Sequence, residues 1–110
     1  MVIASRVLRL LASNAHVEIP IRIFLPASTE KDAWSCRFEI DWPHGKRSVA
    51  AWGVDAAQAI LLALQMIGAE IYTSDYHKSG NLIWREAAQG YGFPVPSSLR
   101  DLLVGDDASA

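Results

Sequence analysis

Between Trp34 and Trp42 apolar and polar residues alternate without a break. Trp34, Cys36, Phe38, Ile40 and Trp42 share one side, and Ser35, Arg37, Glu39 and Asp41 share the other. Period two predicts a strand with one buried face and one wet face. The stretch HVEIPIRIFLP behaves alike, with Val17, Ile19, Ile21 and Ile23 on its apolar side. Pro20 interrupts it with a residue that has no N–H, which predicts a sheet edge or a bulge at that point. Ser5–Ala12 reads as a strand of poorer alternation, and Arg47–Val54 as another whose Ala50 and Ala51 leave room for close packing. Pro26–Asp32 reads as a polar turn and Pro43–Lys46 as a tight hairpin turn. The expectation is an antiparallel four-stranded meander.

The period then changes. From Asp55 the apolar residues Ala59, Ile60, Ala63, Leu64, Ile67 and Ile71 recur at helical spacing, a stripe suited to packing on the sheet. Asp55 is a good N-cap, and Gln58 three residues on completes a capping-box pattern. The helix is expected to run to about Ser74, ended by the polar cluster TSDYHKSGN. Its opposite face carries Gln58, Leu62, Gln65 and Ala69, flanked by Leu61 and Met66. A solvated face normally carries Lys and Glu, so Leu61, Leu62, Gln65 and Met66 are the candidate interface. The C-terminal segment, a second copy of the chain, or both would cover it.

That segment is irregular. Leu82–Glu86 reads as a short strand or a loop anchored by Trp84, and GYGFPVP as a rigid turn. Ser98 and Asp101 form a second capping-box pattern that predicts a short terminal helix ending near Gly105. Residues 1–104 are expected to form a single α+β domain: the meander, one long helix packed on the sheet, the irregular segment and the short helix. Residues 105–110 read as a flexible acidic tail.

Composition narrows the function classes. Net charge is −2, which gives no pull toward nucleic acid or anionic lipid. Arg6, Arg9, Arg22, Arg37 and Arg47 lie mostly on proposed strands. The tryptophans on those strands alternate to the opposite face, so the aromatic–arginine surface of an RNA-binding sheet is not expected. The one cysteine, Cys36, cannot form an internal disulfide and reads as a buried apolar residue. Arg6 and Arg9 interrupt what would be the apolar run of a leader, no membrane span is expected, and the default location is the cytoplasm. The four tryptophans are expected mainly in the core.

The stretch GVDAAQAILLALQMIGAEIYTSDYHKSGNLIW followed by GYGFPVP resembles a family of small uncharacterised bacterial proteins, a domain of unknown function. Gly53, Asp55, Gln58-Ala59, Leu62-Ala63-Leu64, Leu82, Trp84 and Gly92-Phe93-Pro94 carry the resemblance, which covers roughly residues 52–96. It implies a short α+β domain and transfers no activity.

His16, His44 and His77 show no metal-ligand spacing. Asp41 with His44, or Asp75 with His77, would be close enough in sequence for a local acid–base pair, although such pairs are common in turns. No catalytic, cofactor-binding or metal residue is assigned. The leading expectation is a non-enzymatic interaction or accessory domain that dimerises or binds a partner protein, for example an immunity-like inhibitor. The alternative is a small-ligand-binding or hydrolytic domain with a cleft between sheet and C-terminal segment.

Overall fold

The computed structural model describes residues 1–109. Strands β1 (Val2–Ala12) and β2 (Ala15–Phe24) form a long hairpin, β3 (Ala27–Glu30) follows, and β4 (Ala33–Trp42) and β5 (Gly45–Gly53) form a second hairpin. Helix α1 (Ala56–Tyr72) and a single turn α2 (Asp75–Lys78) lead to β6 (Leu82–Ile83). A 3-10 turn (Ser97–Leu102) and α3 (Asp106–Ser109) end the described chain. It is an α+β fold with one antiparallel sheet and one long helix packed on it.

The sheet has six strands rather than four. β5 pairs along the whole of β4, whose other edge is shared by β2, at Phe38–Ile40, and β3, at Ala33–Ser35. β3 lies in what reads as a polar turn. Its four residues are all exposed, so no apolar alternation marks them, and backbone pairing alone makes the strand. β6 is two residues paired with Arg9 and Leu10 of β1. β2 is an inner strand over Ile21–Ile23 and has a free edge at Pro20, which pairs only with Val7 of β1. Its pairing with β4 covers only Ile21–Ile23, so Pro20 falls outside that ladder and removes no bond from it.

Register sorts the side chains. Leu8 lies opposite Ile19, Ile21 opposite Ile40, Ile23 opposite Phe38, and Cys36 opposite Ala51. All eight of these side chains are buried in one core cluster on the same side of the sheet. The other sheet face is wet. There Arg22 meets Asp41 at 2.7 Å and Glu39 at 3.2 Å, Arg37 meets Glu39 at 2.8 Å, and the Arg37 guanidinium lies 3.7 Å from the centre of the Phe24 ring. Trp52 also belongs to this face, opposite Ser35, and is 55% exposed, so it is no part of the core.

α1 starts as its sequence predicts. Asp55 Oδ1 accepts from the Gln58 N–H and Gln58 Oε1 accepts from the Val54 N–H, both at 2.8 Å. The helix ends at Tyr72, and Ser74 caps the separate turn α2. The expected cap at Ser98 does not form: the 3-10 turn there begins after Pro96 with no side-chain cap.

α1 packs chiefly on β4 and β5. The core side of β1 and β2 is covered instead by the C-terminal segment, whose Tyr91, Phe93 and Val95 are buried with the sheet residues. Segment and helix meet at Gly68. A Cβ on Gly68 would land on the Pro94 carbonyl oxygen and press on Val95. Gly68→Ala adds about 1 kcal/mol of helix propensity, yet overpacking of this kind costs about 1–3 kcal/mol or more. Urea denaturation should therefore show a net loss of stability. A variant as stable as the parent would mean that the segment does not press on the helix.

Candidate binding site

The register of β1 has one consequence that alternation alone hides. Arg6 pairs with Ile21 and so points to the core side of the sheet. There it donates to the carbonyl oxygens of Tyr91 at 3.0 Å and Gly92 at 3.2 Å. Its guanidinium lies 3.9 Å from the Trp84 ring centre and 4.8 Å from that of Phe93. Cations over aromatic faces are stabilised by the ring quadrupole. Burial lowers the Arg6 pKa and the Asp107 charge opposes that shift, so the group stays cationic.

Asp107 sits on the other side of the same turn. Its carboxylate accepts from the N–H groups of Tyr91 and Gly92, each at 2.8 Å, and from the Tyr72 hydroxyl at 2.5 Å. Gly90 has φ +88°, and a Cβ there would lie 2.5 Å from the Asp107 carboxyl carbon. Glycine is therefore needed twice at this position, for backbone handedness and for room.

A second pair adjoins. His77 Nδ1 and the Tyr91 hydroxyl are 2.5 Å apart, and that hydroxyl donates to the Leu82 carbonyl at 3.3 Å. Both bonds coexist when Nδ1–H donates to the phenol oxygen. Burial, then the Asp107 charge, pushes the Tyr91 phenol up to about 12. Burial, then the bond to Asp107, raises Tyr72 still further, and burial lowers His77. At neutral pH these are neutral hydrogen-bonding groups around one carboxylate.

Beside Asp107 opens a cavity of about 670 Å³. Trp84, Phe93, Pro94, Val95 and Leu103 give it apolar walls, and Arg85 and Arg100 also line it. Neither arginine has an ion-pair partner among the described residues. A second cleft of about 670 Å³ lies between the β4–β5 turn and the end of α1. Its groups are matched to each other. Tyr76 stacks between Trp42 and His44 at 5.1 and 5.8 Å, His44 Nδ1 bonds the Tyr76 hydroxyl at 2.9 Å, and Arg47 meets Glu70 at 2.9 Å.

The structure separates the local pairs suggested by sequence. Asp41 is bound to Arg22 while His44 bonds Tyr76, and Asp75 opens α2 while His77 bonds Tyr91. His16 lies exposed near the β1–β2 turn. The five arginines do not form a common cationic surface, because Arg6 faces the core side and Arg22, Arg37 and Arg47 are paired. Of the candidate interface residues, Leu62, Gln65 and Met66 are half-buried and Leu61 is 50% exposed. Arg6, Tyr72, Tyr91 and Asp107 had no motif to announce them. Within residues 105–110, which read as a flexible acidic tail, Asp107 is held by the Tyr91 and Gly92 amides, while Ala110 lies outside the described residues.

Residues 4–95 match the family described as a domain of unknown function, DUF6968. The chain belongs to this family. The DUF6968 match takes in the strands as well as the helix and GYGFPV segment that carried the resemblance. Arg6, Tyr72, His77, Tyr91 and Gly92 fall inside it, whereas Arg100, Leu103 and Asp107 lie beyond it. No curated protein and no solved structure matched the chain. No helix among the described residues is long and apolar enough to cross a membrane.

The buried imidazole sets a pH dependence. The folded pKa of His77 lies below the ordinary 6.5, so the unfolded chain takes up the proton first. This contribution to stability is fully present above pH 6.5 and is lost as pH falls from there through the folded pKa. Melting temperature measured against pH should drop on that acid side, and His77→Asn, which keeps a donor near the Tyr91 hydroxyl, should flatten the drop. An unchanged slope in the variant would place the titration elsewhere.

Proposed function

We propose that this DUF6968 chain works by binding rather than by catalysis, and that its ligand enters the cavity bordered by Trp84, Phe93 and Leu103. One observation carries the reading: an aromatic-walled cavity of about 670 Å³ is lined by two arginines, Arg85 and Arg100, that form no ion pair among the described residues, although Asp106 and Asp107 line the same cavity. Ligand sites combine apolar walls with a few polar groups that fix orientation. Cationic groups at an apolar cavity select an anion with an apolar body. The hydrolytic form of the same cleft is less well supported, because the Tyr91 hydroxyl and His77 are neutral and bonded to each other and the Tyr72 hydroxyl is bonded to Asp107.

The probe for this is 8-anilinonaphthalene-1-sulfonate, an anion with an aromatic body. The folded protein should bind it saturably with a gain in its fluorescence. The double variant Arg85→Gln, Arg100→Gln should bind it at least about tenfold more weakly, equivalent to about 1.4 kcal/mol, with unchanged melting temperature. Equal binding by parent and variant would remove the cavity from consideration.

A protein-interaction reading through α1 rests on a separate observation: Leu61 is half exposed while Leu62 and Met66, on the same helix, pack against the core. A second copy of the chain is the occupant that reading favours, since two-fold dimers are the commonest assemblies. Light scattering should then give a dimer mass that Leu61→Glu halves without loss of folding. A monomer mass for the parent at high concentration would dismiss it.

A further inference from the structure

Asp107 occupies a receptor built by other parts of the chain. The N–H groups of Tyr91 and Gly92 converge on its carboxylate, with positive φ at Gly90 (+88°) and Gly92 (+78°) on either side of Tyr91. Successive amides turned to one side by such alternation form an anion-binding concavity. The Tyr72 hydroxyl supplies a third donor. Arg6 supplies the positive charge while spending its own hydrogen bonds on the Tyr91 and Gly92 carbonyls, which also holds the turn in shape. Three donors and one cation suit a single negative charge.

The plug and the receptor are held differently. Tyr91, Phe93 and Val95 are buried, and every receptor residue lies within the family match. None of the residues from Pro96 to Ser109 is buried, and Asp107 lies beyond the match. The terminal segment is held by the half-buried Leu99, Leu103 and Val104 and by the Asp106 N–H on the Gln89 carbonyl, contacts separate from those that bury Tyr91, Phe93 and Val95. Gly92 and Asp107 both line the apolar cavity, so an acid group in the receptor would have its body beside Trp84 and Phe93.

We infer that the Tyr91–Gly92 amides, the Tyr72 hydroxyl and Arg6 form a carboxylate receptor at one end of the cavity, that Asp107 occupies it as an internal stand-in, and that the ligand is an aromatic or apolar monocarboxylate whose acid group replaces that of Asp107. This rests on the cavity being a binding site, and it adds the ligand's chemical class and a built-in competitor. A tethered competitor acts at an effective concentration on the order of millimolar, so the intact chain binds such acids more weakly than a chain with the receptor vacated.

The test titrates phenylacetate, with phenylacetamide as the neutral control, into full-length parent and Asp107→Ala, followed by amide and indole NMR signals. Asp107→Ala should bind phenylacetate at least about tenfold more tightly than the parent, with Tyr91 and Gly92 amide signals moving together with the Trp84 indole, and should discriminate against the amide. If the Trp84 indole moves equally in both proteins while the Tyr91 and Gly92 amides stay still, the cavity binds but the receptor is not used, and the inference falls alone. If no signal moves in either protein, this inference falls, while the sulfonate probe still judges the cavity separately. Should Asp107→Ala not fold, Asp107→Asn, which keeps an acceptor oxygen, takes its place. If that variant also fails to fold, Asp107 is a fastening of the core and not a displaceable stand-in, and the inference is overturned.

Discussion

The sheet is wider than the helix that covers it, and the rest of the structure follows from that mismatch. Strands lie about 4.8 Å apart, so the path from β5 through β4, β2 and β1 to β6 spans roughly 19 Å between outer strand axes. A helix with its side chains is about 10 Å across. α1 lies on β4 and β5, which leaves Leu8, Ile19 and Ile21 on the other side in need of cover. The chain supplies it with Tyr91, Phe93 and Val95, and the place where this cover abuts the helix has to be a glycine, Gly68.

An irregular segment used as a core layer brings backbone polar groups with it, and those groups need partners. The Tyr91 and Gly92 carbonyls take theirs from Arg6, and the Tyr91 and Gly92 amides take theirs from Asp107. The cation and the anion thus serve opposite faces of one turn, and the Asp107 charge helps to keep Arg6 cationic. Tyr72 links the helix to the same carboxylate, and His77 links α2 to the Tyr91 ring. The apolar cavity with its arginines is what remains where the segment turns away from the sheet toward its terminal turns.

What could be read from the sequence was whatever repeats at a short period. The Trp34–Trp42 alternation marks the inner strand β4, and the Asp55–Gln58 pair marks the start of α1. Period carries no information where backbone pairing acts alone, as in the exposed β3, or where position in the sheet decides burial, as for Trp52. Arg6 was hidden for a related reason. Its alternation places it with Leu8, but only a carbonyl-rich segment from the far end of the chain makes an inward arginine acceptable. Asp107 depends on contacts 15 to 35 residues away in sequence, in Gly92 and Tyr72, which no local pattern reports.

Tyr91–Val95 form the second layer of the core and rest on α1 at Gly68. Nuclear Overhauser spectroscopy of the intact protein measures this directly. Cross-peaks between the Gly68 α-protons and the Val95 methyl groups, present alongside the Leu8–Ile19 cross-peaks of the sheet, are the predicted result. Strong sheet cross-peaks with none between Gly68 and Val95 would show the segment detached from the helix and would contradict the account.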